Sequence, residues 1–464
     1  MKLRRFPELR RWSWILLAGY WVIAAGVPAI RAADGLAWRT KQERVDADIK
    51  EWELPKLLEQ VAAATGWNIY LEPGTKHKVS TKFSNLPPGE ALHLLLGDLS
   101  FALLPQTNSA PKLFVFRTSL QEATELIPSK KKNPTSAGKP IPNELIVTLK
   151  PGAKIDDLAK RLGAKVLGSV EGLNTYRLQF GDGDATEEAR LALKDSSEVD
   201  SVDSNFVVPT PFQPEALTLG SLPSFNLRPK AVPDANRVVI GLIDTATQPT
   251  DKQMESFILP ALSMAGKTTP GDNQPTHGTS MLETALRGLS MINEEGGASG
   301  VRILPVDVYG GSASTTTFEV AKGIYAAINA GAMIINLSLS SPGDSLFLHR
   351  LIQSGHEQGV LFFAAAGNEP VTTPTYPAAY PEVIAVTAGD KRGNVASYAN
   401  HGDFVDVIAP GSSIVSFNNR AWLVMGTSAS AAYSSGMAAG LADSTKKPLS
   451  QVESTIRGTL GVKR

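Results

Sequence analysis

Two apolar runs in the C-terminal half of the chain constrain its fold more than any other feature. Residues 238–243 (Val-Val-Ile-Gly-Leu-Ile) and 360–366 (Val-Leu-Phe-Phe-Ala-Ala-Ala) lack polar alternation, which is typical of parallel strands buried on both faces. Asp244 follows the first run and Asn368 lies just beyond the second. Because open α/β sheets place their sites at the carboxyl ends of strands, we expect both side chains along one sheet edge.

Further strands and helices alternate around these two runs. The pattern predicts strands at 301–306, 333–339 and 382–388, and helices at 317–330, 346–359 and 451–460. We therefore expect residues 237–464 to form an α/β domain, in which helices flank a mainly parallel sheet.

A histidine and a serine stand at predicted helix starts in the same region. His277 begins a helix-like stretch, where Gly278 and Thr279 leave room around the imidazole ring. Ser428 is followed by mostly small residues through Gly436, which let a helix pass close under the sheet. The dipole of that helix would favour an alkoxide at its N-terminus, so these residues suit nucleophilic catalysis.

Each of these polar residues has a simpler explanation when it is taken alone. Asp244 suits a turn at a strand end, and His277 suits a packed histidine. Ser428 suits a helix N-cap, and Asn368 a turn after glycine. However, the chain order Asp, His, Ser is one in which serine-hydrolase triads occur, and the asparagine adds an amide donor for an oxyanion. It is improbable that all four residues occur in this order only for these simpler reasons.

From about Val238 to the C-terminus, the chain resembles the subtilisin family of serine peptidases, the subtilases. The matching motifs are Ile243-Asp244-Thr245-Ala246, Thr276-His277-Gly278-Thr279, Gly367-Asn368-Glu369 and Met425-Gly426-Thr427-Ser428. The resemblance implies a subtilisin-like fold and hydrolysis of peptide bonds through an acyl-enzyme. In that scheme Asp244, His277 and Ser428 are catalytic, and Asn368 stabilises the oxyanion.

The resemblance also implies where a protein or peptide substrate binds. The substrate would lie as an added strand along residues 336–340. Contacts with it are expected from Ser338, Leu339, Ser340, Ala365 and Gly367. The chemistry needs no cofactor, and we assign no metal ligand, since calcium sites of the kind common in the family cannot be located from this sequence.

Several positions depart from the common family pattern. They are Ala246, Leu282, Glu283, Ser340, Ser341 and Ala432, which stand where glycine, alanine or proline is usual. None is a reacting group, but all bear on pocket shape and helix packing. The serines at 340 and 341 add volume beside the pocket for the residue before the scissile bond, so we expect a small pocket.

The residues upstream of the α/β domain predict two small α+β domains. Residues 143–208 have the β-α-β-β-α-β order of a ferredoxin-like split. Through the stretches Glu-Leu-Ile-Val-Thr-Leu-Lys-Pro-Gly and Val-Asp-Ser-Val-Asp-Ser-Asn, they resemble the inhibitory propeptide of subtilases. A second docking domain is the alternative. The proline-rich residues 209–236 are expected to form an exposed connector in which a protease could cut.

The first of these two domains is predicted at residues 41–118, and a lysine- and proline-rich linker at 119–142. Its β-α-β-β-α-β-β pattern and the stretch Leu-Leu-Glu-Gln-Val-Ala-Ala-Ala-Thr-Gly resemble the short N-terminal domain of secretins and TonB-dependent receptors. This resemblance implies docking to an envelope protein, and the alternative is an unrelated α+β module.

Basic residues and then an uncharged stretch open the chain, which predicts a signal peptide within residues 1–33 and a secreted or periplasmic protein. The uncharged residues 12–30 are also long enough to anchor the chain in a membrane instead. Lys plus Arg and Asp plus Glu both number 45, so no charge excess favours a nucleic-acid partner. Cysteine is absent, which excludes disulfides and thiolate catalysis. The oligomeric state, the natural substrate and the processing position stay open.

Two other function classes are compatible with these patterns. A degenerate subtilase would keep the fold and bind peptides without turnover. A sensor or docking protein would carry its function in the N-terminal residues, with an envelope protein as partner. The complete set of four site residues favours the enzyme.

Overall fold

The computed structural model describes residues 35–72, 74–104, 110–118, 123, 125–127, 138–217, 227–233, 237–249, 251–266, 268–293, 297–390 and 392–462. The predicted signal or anchor and most of the predicted linker lie outside these ranges. Within them, no helix combines the length and the apolar character needed to cross a membrane.

Residues 35–127, here called the N-terminal segment, form two sheets with helices packed against them. In chain order the elements are β1 (Gly35–Arg39), β2 (Arg44–Glu53), α1 (Leu54–Thr65), β3 (Asn68–Leu71), β4 (Lys78–Leu86), α2 (Pro88–Leu96), β5 (Ser100–Leu104), β6 (Lys112–Phe116) and β7 (Glu125–Ile127). The strand orders are β1-β2-β4 and β5-β6-β3-β7. Strands β1 and β7 were not predicted. Strand β7 falls within the residues that were predicted to be a linker, and it is a strand because it pairs with β3.

Residues 140–209, the central segment, form an antiparallel sheet with two helices. The elements are β8 (Pro140–Leu149), α3 (Ile155–Leu162), β9 (Lys165–Val170), β10 (Thr175–Gln179), α4 (Gly183–Lys194) and β11 (Val199–Pro209). Their strand order is β11-β8-β10-β9. Leu145, Val147 and Leu178 lie in a buried core that this segment forms by itself. The element order is the predicted one, but β8 begins inside the predicted linker.

The connector and the C-terminal residues supply the remaining elements. These are β12 (Glu215–Leu217), β13 (Arg228–Pro229), β14 (Val239–Asp244), α5 (Lys252–Glu255), β15 (Leu262–Ser263), α6 (His277–Ile292), β16 (Ala298–Ser299), β17 (Arg302–Asp307), β18 (Ser314–Thr316), α7 (Thr317–Asn329), β19 (Ile334–Leu337), α8 (Leu346–Glu357), β20 (Leu361–Ala365), β21 (Val383–Gly389), β22 (Val407–Pro410), β23 (Ser412–Phe417), β24 (Arg420–Met425), α9 (Thr427–Thr445) and α10 (Leu449–Leu460).

A parallel sheet organises the C-terminal residues, in the order β15-β17-β14-β19-β20-β21-β22. One buried core, with Leu282 of α6 and Ile456 of α10, covers one face of the sheet. A second core, with Phe318 of α7 and Leu351 of α8, covers the other face. The predicted α/β architecture with a helix-flanked parallel sheet is therefore confirmed. The antiparallel hairpin of β23 and β24 was not predicted.

The connector is not a fully exposed stretch, which corrects the prediction for residues 209–236. Strand β12 pairs with β24, and β13 pairs with β16. Just before the connector, β11 pairs with β18 of the C-terminal residues. The chain is thus held to the C-terminal residues on both sides of Thr210–Pro214, which is where it passes the candidate site.

Candidate active site

The side chains of Asp244 and His277 form a buried pair at the carboxyl edge of the sheet. Asp244 is the last residue of β14, and His277 is the first residue of α6. The Nδ1 atom of His277 lies 2.8 Å from Oδ1 and 3.0 Å from Oδ2 of Asp244. The two residues are only 1% and 2% exposed. A carboxylate in this position orients the ring and leaves Nε2 for another partner.

Gly278 permits the close approach that brings this pair together. A Cβ atom at this position would lie 2.2 Å from the carbonyl oxygen of Thr245. The N–H of Gly278 also donates to Oγ1 of Thr245 at 2.8 Å. The space left by the absent side chain at Gly278 is therefore filled by the backbone after β14, and a Cβ atom at 278 would push helix α6 away from Asp244.

Gln248 fixes the start of helix α6 and was not predicted. It is buried, and its Nε2 group donates to the carbonyl oxygens of Gly271 and Gln274 at 2.6 and 2.9 Å. Its Oε1 atom accepts from the N–H of Thr276 and the hydroxyl of Thr279 at 2.7 and 3.0 Å. One amide group thus joins the loop that contains Gly271 and Gln274 to the first turn of α6, which carries His277. No local pattern in the sequence marks this role.

Ser428 is the second residue of α9 and is almost fully buried. Its hydroxyl donates to the carbonyl oxygen of Ser338 at 3.1 Å, and the hydroxyl of Ser338 donates to the carbonyl oxygen of Ser428 at 3.0 Å. Among the residues that the structure describes, no hydrogen bond joins the Ser428 hydroxyl to the imidazole of His277. In the intact chain, the Ser428 hydroxyl therefore faces the end of β19.

Asn368 follows β20 and is oriented by Thr427. Its Oδ1 atom accepts from the N–H and the hydroxyl of Thr427 at 2.8 and 3.1 Å. Its Nδ2 group lies beside Gly426, where a Cβ atom would come within 2.9 Å of it. Because the acceptor half of the amide is occupied, the donor half is directed toward the turn before Ser428. The serine motif contained Thr427, but its bond to the asparagine was not foreseen.

Helices α6 and α9 touch backbone to backbone, so His277 and Ser428 stand on one helix pair. A Cβ atom at Gly288 would lie 2.0 Å from the carbonyl oxygen of Tyr433, and one at Gly436 would lie 1.9 Å from that of Ala285. The run of small residues after the serine thus permits a close crossing with α6, whereas the prediction concerned a close approach of this helix to the sheet.

Glu283, one of the departures from the family pattern, is buried in this helix pair. It pairs with Arg287, and it accepts a hydrogen bond from the N–H of Ser416 at 2.8 Å. Burial raises the pKa of its carboxyl group, and Arg287 opposes the shift. The glutamate thus joins helix α6 to strand β23 without contacting the candidate site.

The predicted substrate-binding residues lie at or just after the carboxyl ends of β19 and β20. Leu339 and Ala365 are buried, and Ser340 is half-buried. Gly367 has a φ of 109°, and its N–H donates to Oγ1 of Thr427 at 3.0 Å. The hydroxyl of Ser341 donates to the carbonyl oxygen of Val207 at 2.9 Å. Ser341 therefore holds the end of the central segment, which leaves Ser340 as the serine expected to narrow the pocket.

A cavity of about 530 Å³ opens beside His277. Thr245 and Tyr309 of the C-terminal residues line it, together with Thr210 and Gln213 of the connector. The N–H of Thr210 donates to the carbonyl oxygen of Ala313 at 3.0 Å. The connector therefore crosses the cleft at the candidate site. Within the described residues, no group of three or more His, Cys, Asp or Glu residues is arranged to hold a metal ion.

Two parts of this chain match known protein families. Residues 235–460 match the Subtilase family, and residues 127–205 match the fervidolysin N-terminal prodomain. Thermitase from Thermoactinomyces vulgaris is 31% identical over 226 residues, which cover 47% of this chain and 80% of thermitase. A thermophilic serine proteinase from Bacillus sp. (strain AK1) is 32% identical over 209 residues, 44% of this chain. The match spans about half of that relative, 51% of its length.

A solved structure shows the same fold at low sequence identity. The epidermin leader peptide processing serine protease from Staphylococcus aureus aligns with a TM-score of 0.51 and 16% identity, over 68% of this chain and 91% of that one. The resemblance of residues 41–118 to secretin and TonB-receptor domains stays a prediction. With thermitase matched over most of its length and the subtilase motifs on one sheet edge, the chain belongs to the subtilase family and carries a fervidolysin prodomain-like region upstream.

Proposed function

We propose that this chain is a serine endopeptidase in which Ser428, His277 and Asp244 form the catalytic triad. The buried contact of His277 Nδ1 with both oxygens of Asp244 supports this proposal most directly. Labelling with a fluorophosphonate tests it, because that reagent reacts with an activated serine. Wild type should be labelled, and Ser428→Ala should not. A degenerate, peptide-binding subtilase would leave both forms unlabelled.

In the proposed reaction, the Ser428 hydroxyl turns from the carbonyl of Ser338 toward Nε2 of His277. The histidine takes the hydroxyl proton while the oxygen attacks the scissile carbonyl carbon, and Asp244 stabilises the resulting imidazolium. The developing oxyanion accepts hydrogen bonds from Asn368 Nδ2 and from the backbone N–H of Ser428. The protonated histidine then gives its proton to the leaving amine, and water hydrolyses the acyl-enzyme by the same steps.

Protein or peptide substrates are proposed to bind as an added strand along the segment that follows β19. Ser338, Leu339 and Ser340 would supply backbone hydrogen bonds, and Ala365 and Gly367 would border the pocket for the side chain before the scissile bond.

The pocket proposal predicts how a substitution at Ser340 changes specificity. We expect Ser340→Gly to raise cleavage after Phe more than cleavage after Ala, because it removes volume and a polar atom from the pocket wall. A few carbons in such a pocket change the barrier by only about 1 to 3 kcal/mol. The measurement is kcat/KM on matched peptides, with Ser341→Gly as the control because the Ser341 hydroxyl bonds Val207. A wild-type profile that already favours Phe and Tyr would contradict this prediction.

We also propose that the central segment inhibits the peptidase. Its buried Asn205 accepts hydrogen bonds from the hydroxyl of Thr317 and the N–H of Phe318, both at 3.1 Å, at the first turn of α7. Strand β11 continues this contact by pairing with β18, and Tyr309 donates to the carbonyl oxygen of Pro209 at 3.0 Å. These contacts bring the end of the segment to the edge of the cleft.

Inhibition by the central segment predicts an effect in trans. Residues 140–209, added as a separate polypeptide, should slow peptide hydrolysis by the processed enzyme in a saturable manner. A polypeptide that ends at Asn205 is the matched control, since it lacks the residues that pair with β18. Unchanged hydrolysis at large excess would show that the segment is not an inhibitor.

Export is a further proposal, which rests on the basic start and the uncharged stretch before residue 34. We propose a secreted or periplasmic protein, with anchoring through residues 12–30 as the alternative. An envelope protein that docks on residues 41–118 remains part of the proposal, supported by the secretin-like pattern.

A further inference from the structure

The sheet of β5, β6, β3 and β7 in the N-terminal segment carries an unusual second face. In its strands, successive side chains point to opposite sides. Leu113 and Val115 of β6 enter the core shared with helices α1 and α2. Lys112 and Phe114 point to the other side, where the ring of Phe114 stacks on that of Tyr70 with centroids 5.0 Å apart. This second face thus combines a cation with two aromatic rings.

The centre of that second face is buried. Tyr70, Phe114 and Lys112 are 0%, 1% and 5% exposed. Lysine is almost never buried to this degree unless it is paired. Burial lowers the pKa of the Lys112 ammonium, and the nearby carboxylate of Glu369 opposes this shift. Since Glu369 belongs to the peptidase part of the chain, this face is turned toward the peptidase.

The ammonium group contacts the proposed oxyanion site. Nζ of Lys112 donates to the backbone carbonyl oxygen of Asn368 at 3.0 Å. It also lies 5.8 Å from the ring centroid of Tyr70 and 5.7 Å from that of Phe212. Phe212 belongs to the part of the connector that crosses the cleft. A single side chain of the N-terminal segment therefore touches both the turn that carries the oxyanion donor and the connector.

We propose that the N-terminal segment is a second inhibitory element, which docks through Lys112 on the turn formed by residues 367–369 and retains the connector in the cleft. This inference rests on the proposed peptidase function. A substrate must enter beside Asn368, and in the intact chain Lys112 contacts the turn that carries Asn368. The central segment acts from elsewhere, through β18, Tyr309 and Ser341.

The docked contact contains two buried polar groups that weaken it. The hydroxyl of Tyr70 is buried without a hydrogen-bond partner among the described residues, and the Lys112 ammonium has lost most of its water. Both cost free energy that exposure to solvent would return. A binding partner, a cut upstream of the central segment or a change of charge would therefore shift this contact more readily than an apolar interface.

The first test measures the rate of fluorophosphonate labelling of Ser428 in the full chain. Lys112→Glu places a carboxylate against the Asn368 carbonyl and Glu369, and Glu369→Lys repels Lys112 from the peptidase side. Each should speed labelling, by roughly 5- to 100-fold for a coupling of ordinary strength. The double variant should lose part of this gain, because the charges attract again. Lys76→Glu is the control, since Lys76 is an exposed lysine of the same segment.

The second test measures amide hydrogen exchange in the uncut Ser428→Ala background. Lys112→Glu should speed exchange at residues 366–371, while helix α1 stays protected and shows that the N-terminal segment is folded. Labelling and exchange at the rates of the Lys76→Glu control would overturn the inference. Absence of labelling in every form, including chains cut in the connector, would instead mean that the peptidase proposal has failed.

Discussion

Purified wild-type chain should be cut within its connector, and Ser428→Ala should remain full length under the same conditions. The connector lies across the cavity beside His277, held by β18 on one side and β24 on the other. Removing the nucleophile of subtilisin, a relative, lowers turnover by about a million-fold, so the variant should show no cut. Mass spectrometry of the fragments should place the cut between Val207 and Arg237, with Thr210–Glu215 as the stretch that the geometry favours.

Ser434→Ala provides the matched control for this experiment. The hydroxyl of Ser434 lies buried on the same helix, without a hydrogen-bond partner among the described residues. Its removal changes one oxygen atom in α9, as Ser428→Ala does, but leaves the nucleophile in place. We expect this variant to be cut at the wild-type rate. Equal cutting of wild type and Ser428→Ala would show that another protease processes the chain.

The Asn368→Ala variant should lose about 100- to 1,000-fold in kcat with little change in KM, a scale borrowed from the equivalent loss in subtilisin. The amide donor acts on charge that develops only in the transition state, so substrate binding should be almost unaffected. The measurement is steady-state hydrolysis of a peptide by the processed enzyme.

A second substitution at the same position separates catalysis from structure. Asn368→Asp keeps an acceptor for the N–H and hydroxyl of Thr427 but removes the donor that faces the oxyanion. If the donor matters, the aspartate variant should be at least as slow as the alanine variant. Recovery of activity in the aspartate variant would show that Asn368 serves only to hold Thr427.

The sequence predicted the parts of the site that depend on local pattern. An apolar run that ends in Asp244 indicated a buried strand with a carboxylate at its carboxyl end, and β14 ends at that residue. The small residues after Ser428 indicated a tightly packed helix, and Gly436 lies against the backbone of α6. These features need only a few neighbouring residues to be recognised, because a continuous apolar run and a run of small residues are both short local patterns.

Contacts between distant parts of the chain could not be predicted in this manner. The strand Glu215–Leu217 has three residues, and its partner β24 lies far along the chain, so no local period marks it. The contact of Lys112 with Asn368 joins residues far apart in the chain, and no local pattern indicated it. Gln248 gave no signal at all, since an amide that bridges two loops depends on tertiary structure alone.

The strand pairing on both sides of the connector affects when peptidase activity would begin. After a cut within Thr210–Glu215, the upstream end would remain paired with β18 and the downstream end with β24. Cleavage would be a first-order event within one molecule and independent of protein concentration. The cleft would then open only when the paired strands dissociate. The delay before activity would therefore depend on how long the strands stay paired, and not on the rate at which the peptide bond is cut.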